Sequence, residues 1–152
     1  MTSYDAAMRT ALDEARAALP SGEVPVGAVV LDAGGMVIGR GRNVRERDGD
    51  PTGHAELLAI RAAAEVVGGW RLTGCTLVVT LEPCTMCAGA IVLSRLERLV
   101  FAAYDEKAGA VGSLWDVVRD RRLNHRPEVV SGLLAEDSRR LLDDFFARQR
   151  LG

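Results

Sequence analysis

The feature that most constrains this fold is a pair of short segments, far apart in the chain, that together offer one imidazole and two thiols to a metal ion. The first is His54-Ala55-Glu56, and the second is Pro83-Cys84-Thr85-Met86-Cys87. One ion can bind all three side chains only if the fold brings the two segments together. Three protein ligands with an open fourth position are typical of a catalytic zinc site, whereas a structural site is closed by a fourth ligand.

Local geometry favours this zinc site. Cys84 and Cys87 lie three residues apart at a predicted helix start, so both thiols share one face, and the positive end of the helix dipole favours thiolates. His54 is predicted to open the preceding helix, so the site would form where two helix N-termini meet over the sheet edge. Cys75 precedes the strand that leads to Cys84 and should lie on the order of 20 Å away, which leaves the site open.

Glu56 is not needed as a ligand and stands two residues from the histidine. An open zinc site lowers the pKa of bound water to about 7, and a nearby carboxylate can take up the proton. Such general acid–base catalysis contributes roughly 10²–10⁴-fold to a rate. We therefore expect a Glu56→Ala variant to keep zinc and to lose turnover.

Length and composition predict one folded domain over residues 1–152, with 48% hydrophobic and 26% charged residues. No apolar run approaches the roughly 18–20 residues that span a bilayer, so we expect no membrane segment. The segment Met1–Asp5 has neither a basic stretch nor an apolar signal core. Three cysteines cannot all pair, and a C-x-x-C in a chain that is not exported suggests metal or redox chemistry. These features predict a cytoplasmic protein.

The overall charge does not indicate a nucleic-acid-binding protein, because the formal net charge is −2. Local clusters of arginine are more informative, although each cluster is equally typical of a solvated helix face. The clusters are Arg119, Arg121, Arg122 and Arg126, and then Arg139, Arg140, Arg148 and Arg150.

Hydrophobic periodicity and turn residues predict elements in the order α-β-β-α-β-α-β-α-β-α. The predicted strands are Val24–Leu31, Met36–Gly41, Thr76–Leu81, Leu99–Ala102 and Glu128–Val130. The predicted helices are Tyr4–Leu19, His54–Val67, Cys84–Leu93, Ser113–Arg119 and Ala135–Arg150. A helix between the last two strands would allow a parallel crossover. We predict an α/β fold, a three-layer α/β/α sandwich with a five-stranded mixed sheet.

The chain resembles the bacterial tRNA-specific adenosine deaminases of the cytidine deaminase superfamily. The signature H-x-E…P-C-x-x-C identifies only the superfamily, whose members use zinc to activate the attacking water. Later segments point to the tRNA branch, and the resemblance runs nearly end to end. The similar segments are Glu23–Ala28, Asn43, Asp50–Glu56, Val79–Ala90, Asp105–Gly109, Gly112–Leu114, Asn124–Arg126 and Asp144–Phe146.

This resemblance implies a cytidine deaminase-like fold and hydrolytic deamination of adenosine to inosine at the wobble position of a tRNA anticodon loop. It also implies a homodimer with one Zn²⁺ per subunit, held by His54, Cys84 and Cys87, with Glu56 as the proton shuttle. The implied substrate contacts are Asn43 with the flipped base, the backbone N–H of Ala55 or of the Pro83–Cys84 turn, Asp105 and Lys107 near the nucleotide backbone, and Asn124, His125, Arg126 and Phe145 around neighbouring nucleotides.

Adjacent helical residues point about 100° apart, so only one of Phe145 and Phe146 can face RNA while the other packs inside. His125 in a loop with arginines is also typical of a solvated or hydrogen-bonded histidine. Three other functions fit parts of the sequence: a deaminase of free guanine, cytosine or a nucleotide, a non-catalytic RNA-binding subunit with structural zinc, and a redox protein that uses Cys84 and Cys87. The presence of Glu56 argues against the RNA-binding subunit.

Overall fold

The centre of the fold is a five-stranded mixed sheet with the strand order β2-β1-β3-β4-β5. Strand β1 is antiparallel to both β2 and β3, whereas β3, β4 and β5 run parallel. The strands are β1 Gly27–Leu31, β2 Val37–Arg42, β3 Thr76–Leu81, β4 Arg98–Ala103 and β5 Glu128–Ser131. The prediction of a five-stranded mixed sheet is confirmed.

These elements come from a computed structural model that describes residues 4–151. Met1–Ser3, which belong to the segment Met1–Asp5 where no signal sequence is predicted, and Gly152 lie outside the described residues. Within residues 4–151, every helix is too short or too polar to cross a membrane. The helices are α1 Asp5–Ala18, the single turn α2 Arg45–Asp48, α3 Ala55–Val67, α4 Thr85–Leu93 and α5 Ala135–Leu151.

Helices cover both faces of the sheet, because successive strand residues point to opposite sides. On one face, Val29, Val78 and Val100 pack with α1 and with the partly buried side of α5. On the other face, alternate residues such as Leu77 and Phe101 pack with α3 and α4. The three-layer α/β/α sandwich is therefore present, and the two helices that begin with the predicted metal ligands share one face.

The predicted helix Ser113–Arg119 is wrong, because residues 111–120 form turns and an isolated bridge between Val111 and Asp116. The carboxylate of Glu82 binds the backbone N–H groups of Val111 and Ser113 and holds the chain here in a turn. The N–H of Val117, which a helix would pair with the carbonyl of Ser113, donates to the carbonyl of Ala110 at 2.8 Å. Strands β4 and β5 are nevertheless parallel, with this irregular segment as their crossover.

Strand β1 begins three residues later than predicted, at Gly27. Pro25 has no N–H to donate to a sheet. Gly27 itself lies so close to α1 that a Cβ there would overlap the carbonyl oxygen of Ala11. The extended residues before β1 consequently leave the sheet and run beside the predicted zinc ligands, where Val24 and Val26 line a pocket.

Candidate active site

Two helix starts bring the predicted metal ligands together. His54 is the N-cap of α3 and Cys84 is the N-cap of α4, and both have extended backbone conformations. Neither side chain makes a capping hydrogen bond, so both are free to face the space between the helices. Cys87 lies in the first turn of α4 on the same side as Cys84, as its three-residue spacing predicts.

The ligand atoms have the separations that a tetrahedral zinc ion requires. The Nδ1 atom of His54 lies 3.6 Å from the Cys84 sulfur and 3.5 Å from the Cys87 sulfur. Zn–S bonds of about 2.3 Å and a Zn–N bond of about 2.05 Å at tetrahedral angles give N···S separations of about 3.6 Å. All three ligand atoms lie within 4.8 Å of one another, and Cys75 is not part of this group.

Electrostatics around the two thiols also suit a metal. A hydrogen bond with Cys87 lowers the pKa of the Cys84 thiol to about 4, and the same contact together with burial raises the pKa of Cys87. The hydrogen bond with Cys84 raises the pKa of His54. Zinc binds thiolates, so metal binding would release any proton that this pair of thiols holds.

Glu56 follows directly in the first turn of α3 and is only 4% exposed. Burial raises the pKa of its carboxyl group to about 7, while the charge of His54 acts in the opposite direction. A carboxyl group in this environment can exist in both protonation states near neutral pH, which suits a group that accepts and returns a proton.

A cavity of about 180 Å³, here called the inner pocket, contains these groups. Its polar lining residues include Asn43, His54, Glu56, Glu82 and Asp105. Apolar walls come from Val24, Val26, Leu81 and Ala108, with Arg45, Ala55 and Cys84 completing the lining.

The inner pocket opens towards a larger cavity of about 920 Å³, here called the outer groove. The two cavities share Val24, Leu81, Asp105 and Ala108. The remaining lining of the outer groove comes from the loop after β4 and from one face of α5: Glu106, Lys107, Arg139, Leu142, Asp143, Phe146, Gln149 and Arg150.

The structure brings most of the predicted site residues to these two cavities. Asn43 lines the inner pocket, where its side-chain amide donates to the carbonyl of Val24 and accepts from the N–H of Arg45. Pro83 is buried behind the pocket lining. Lys107 lines the outer groove.

Other predicted contacts lie elsewhere. Phe146, 44% exposed, lines the outer groove, whereas the half-buried Phe145 packs edge-on against it with ring centroids 5.3 Å apart. The segment Asn124–Arg126 precedes β5 at the opposite end of the sheet, and His125 Nε2 lies 2.6 Å from the carbonyl oxygen of Leu96. Within one chain, the fold does not bring this segment to the metal ligands.

Sequence reasoning gave no site role to Glu82 or to the apolar walls of the pocket. Glu82 is 2% exposed, and its carboxylate accepts four hydrogen bonds from the segment 105–113. Burial acts to raise the pKa of Glu82, but these hydrogen bonds together lower it. The one sequence feature that could have indicated a site role for Glu82 is its position between the predicted strand Thr76–Leu81 and the predicted ligands Cys84 and Cys87.

Comparison with known proteins agrees with this geometry. Residues 1–103 match the family described as the cytidine and deoxycytidylate deaminase zinc-binding region. A tRNA-specific adenosine deaminase of Bacillus subtilis is 47% identical over 150 residues, which cover 99% of this chain and 92% of the relative. The chain belongs to this deaminase family.

Solved structures of family members have the same fold. One, from a study of A-to-I editing by tRNA:A34 deaminases at the wobble position of transfer RNA, aligns with a TM-score of 0.85 and 46% identity over 89% of this chain and 97% of the other. The guanine deaminase of Nitrosomonas europaea aligns with a TM-score of 0.80 and 28% identity over 97% of this chain and 86% of the other. Within the matched region, the ligand atoms of His54, Cys84 and Cys87 lie close enough together to hold a metal ion.

Proposed function

We propose that this protein deaminates adenosine to inosine at the wobble position of a tRNA, with water consumed and ammonia released. The observation that supports this most directly is the position of Glu56, buried beside a His-Cys-Cys metal group in a pocket that opens into a much larger groove. The choice of tRNA rests on relatives such as the Bacillus subtilis enzyme, which is similar over almost its entire length.

His54, Cys84 and Cys87 would hold the zinc ion, since their ligand atoms have the required separations. Bound zinc lowers the pKa of water to about 7 and so supplies hydroxide at neutral pH. The chain's own contribution is to keep the two sulfurs at one helix start, where the helix dipole stabilises their negative charge.

Glu56 would act as the proton shuttle. Its carboxylate would take one proton from the attacking water and pass it to a ring nitrogen of the adenine. It would then take the second proton from the hydroxyl group now bonded to the ring carbon and give it to the amino group, which leaves as ammonia while the carbonyl of inosine forms. The first turn of α3 fixes this carboxylate close to the metal ligand His54. Burial keeps bulk water away from it, so protons move between the reacting groups and not to solvent.

The inner pocket would hold the reacting base and little else. Its volume of about 180 Å³ is below the roughly 300 Å³ at which small-molecule sites usually begin. A base in a tRNA loop must leave its stack to reach such a pocket. We propose that Asn43 and the backbone N–H of Ala55 contact the flipped base, with Val24 and Val26 against its faces.

The outer groove would bind the neighbouring nucleotides. Phe146 offers an exposed ring for stacking, and Lys107, Arg139 and Arg150 offer cations to phosphates. Phe146 is a better candidate than Phe145 for contact with RNA, because Phe145 does not line the groove. Asp105 would shape the loop, since its Oδ1 atom accepts the N–H groups of Lys107 and Ala108.

We also propose a homodimer formed through α4. Beyond its buried side, this helix has a second apolar face of partly exposed residues, Met86, Gly89 and Ala90, together with Leu93, which is 68% exposed. A second subunit would cover this face. Asn124, His125 and Arg126 of that subunit could then reach RNA bound at this site, which the same residues of the first subunit do not approach.

Light scattering after size-exclusion chromatography tests the dimer. The protein should have the mass of two chains, and Leu93→Glu should shift it towards one chain because a charge would be buried in the interface. Met36→Glu is the matched control, since Met36 is 69% exposed on the hairpin between β1 and β2. A wild-type protein that is monomeric at micromolar concentration would contradict the dimer.

The cytoplasm is the proposed location, because none of the three cysteines is paired in a disulfide and two of them would serve as metal ligands. The substrate is tested by incubating the enzyme with a tRNA that carries adenosine at the wobble position and measuring inosine by mass spectrometry. The same enzyme is given free adenine, guanine and cytosine and their nucleosides, with ammonia release as the measurement. Faster release from any free base than from the tRNA would overturn the substrate assignment.

A further inference from the structure

Glu82 is a buried carboxylate that the proposed reaction does not use. It lies immediately after β3 and two residues before the zinc ligand Cys84, yet it is not part of the metal-ligand group. Glu82 lines the inner pocket and is 2% exposed. An ionised group in such a place needs compensating hydrogen bonds, and the identity of its partners therefore indicates its purpose.

All four hydrogen-bond partners come from the segment 105–113. The Oε1 atom accepts from the N–H of Asp105 at 2.9 Å and from the hydroxyl of Ser113 at 2.5 Å. The Oε2 atom accepts from the N–H groups of Val111 and Ser113 at 2.9 and 3.0 Å. A carboxylate has about four acceptor positions, so this segment saturates Glu82 and is held at both of its ends.

The same segment forms one side of the substrate cavities. Asp105 and Ala108 line the inner pocket, and Lys107 lines the outer groove. Two backbone contacts fasten it to the ligand turn, since Gly109 forms an isolated bridge with Cys84 and the N–H of Ala110 donates to the carbonyl of Pro83 at 2.8 Å.

Gly109 packs directly against the carboxyl group of Glu82. A Cβ at this position would come closer to the carboxyl atoms than real Cβ atoms ever do, so the segment cannot approach Glu82 in this way with any other residue. This close packing and the four hydrogen bonds together fix the distance between segment 105–113 and the turn that carries Cys84.

We propose that Glu82 is a positioning residue for the deamination site. Its carboxylate holds segment 105–113 as a preformed wall of the inner pocket, at a fixed distance from the zinc ligands, before substrate binds. The expected change in KM rests on the proposed function. The expected effect on how firmly segment 105–113 is held in place does not.

The first test is Glu82→Gln, with Glu97→Gln as the matched control because Glu97 is exposed. Glutamine keeps the size of the side chain but replaces one acceptor oxygen by an NH₂ group that faces backbone donors. We expect the variant to keep one zinc per chain and to exchange the amide hydrogens of Asp105, Val111 and Ser113 faster. The KM for an anticodon stem-loop should rise on the order of tenfold, with a smaller change in kcat.

The second test perturbs the same contact from the other side. Gly109→Ala leaves the carboxylate intact but pushes the segment away from it, and it should raise KM as Glu82→Gln does. In a Glu82→Ala background the added methyl group has room, so the double variant should have no higher KM than Glu82→Ala alone. This loss of additivity is expected only if both residues act through one contact.

Three results would overturn the inference. One is a lower thermal stability of Glu82→Gln with unchanged KM and unchanged amide exchange, which is what a purely structural residue would give. Another is loss of zinc from this variant, which would make the ligand turn its point of action. The last is additive effects of Glu82→Ala and Gly109→Ala. Gly109→Ala supplies the same measurements if Glu82→Gln does not fold.

Failure of the proposed function has a different signature. In that case the wild-type protein would not deaminate the stem-loop, and the kinetic comparison would have no baseline. The amide-exchange comparison between Glu82→Gln and wild type needs no substrate, so it decides the positioning role independently.

Discussion

The inner pocket and the outer groove are adjacent but built in different ways. The reactive groups of the pocket lie at the starts of two helices, and Glu56 and Cys87 are buried there. The groove is about 920 Å³ against about 180 Å³ for the pocket, and it is lined largely by exposed side chains of one loop and α5. Catalytic chemistry thus depends on few atoms at fixed backbone positions, whereas binding is distributed over many side chains.

This difference predicts two kinds of variant. Changes to the metal-ligand group or to Glu56 should reduce kcat by orders of magnitude and leave RNA affinity nearly intact. Changes in the groove should weaken binding by smaller factors and leave the chemical step alone. Only three residues separate the end of β3 from the start of α4, so Leu81, Glu82 and Cys84 line the pocket from one short stretch of chain.

The largest effect is expected from loss of a metal ligand. Cys87→Ser should bind less than one zinc per chain and lose deamination below detection, because the hard, neutral hydroxyl is a poor replacement for a thiolate. Metal content by atomic emission and inosine formation by mass spectrometry measure both properties.

Cys75→Ser is the matched control for this change. Cys75 is also a buried free cysteine but does not belong to the ligand group. It should keep one zinc per chain and full activity. Equal loss of zinc from both variants would mean that buried thiols in general, and not this group, determine metal content.

The next largest effect is expected at Glu56. Glu56→Gln and Glu56→Ala should retain zinc and bind RNA normally but lower kcat by roughly 10²–10⁴-fold, since they remove proton transfer and not the metal. Glu65→Gln serves as the control, because Glu65 lies on the same helix with an exposed side chain. Single-turnover kinetics with saturating enzyme would measure the chemical step, and a rate close to wild type would remove Glu56 from the mechanism.

The same contrast explains what the sequence could predict. The three ligands could be predicted because their positions depend on local structure. Cys84 and Cys87 lie three residues apart at a helix start, and His54 is the N-cap of another helix. Strand β3 has the predicted boundaries, because its run of apolar and β-branched residues is typical of a strand that is buried on both faces of a sheet. Local sequence patterns are sufficient where a local structure determines the outcome.

Long-range contacts account for what could not be predicted. The sequence of residues 113–119 predicts a helix. In the structure Glu82, distant in sequence, binds the N–H groups of Val111 and Ser113 and holds a turn in which the N–H of Val117 pairs with Ala110 and not with Ser113. The choice between Phe145 and Phe146 depends on how α5 is rotated against the sheet. That rotation is set by packing partners such as Leu142, which is 3% exposed.

The rotation of α5 gives a prediction of intermediate size. Phe146→Ala should weaken binding of an anticodon stem-loop by about 1–3 kcal/mol, between roughly 5- and 150-fold, because it removes a stacking surface for a base. Phe145→Ala should affect stability more than binding, since its ring packs against the chain. Fluorescence anisotropy with labelled RNA measures the affinities, and a larger loss for Phe145→Ala would reverse the assignment.

The smallest effect concerns the cations of the groove. Lys107, Arg139 and Arg150 line it together with the acidic residues Glu106 and Asp143, so few phosphates are neutralised. If three phosphates are neutralised, the logarithm of the RNA-binding constant should fall linearly with the logarithm of the salt concentration, with a slope of about −2 for single-stranded RNA. Lys107→Gln should weaken binding a few-fold and reduce the magnitude of this slope by about 0.7, the contribution of one phosphate.

Arg9→Gln controls for the general loss of one positive charge, because Arg9 is exposed on α1 and does not line the groove. It should leave the salt slope unchanged. A slope that falls equally in Lys107→Gln and Arg9→Gln would mean that RNA responds to the total charge of the protein. The outer groove would then not be the surface on which the phosphates lie, whereas the chemistry assigned to the inner pocket would be unaffected.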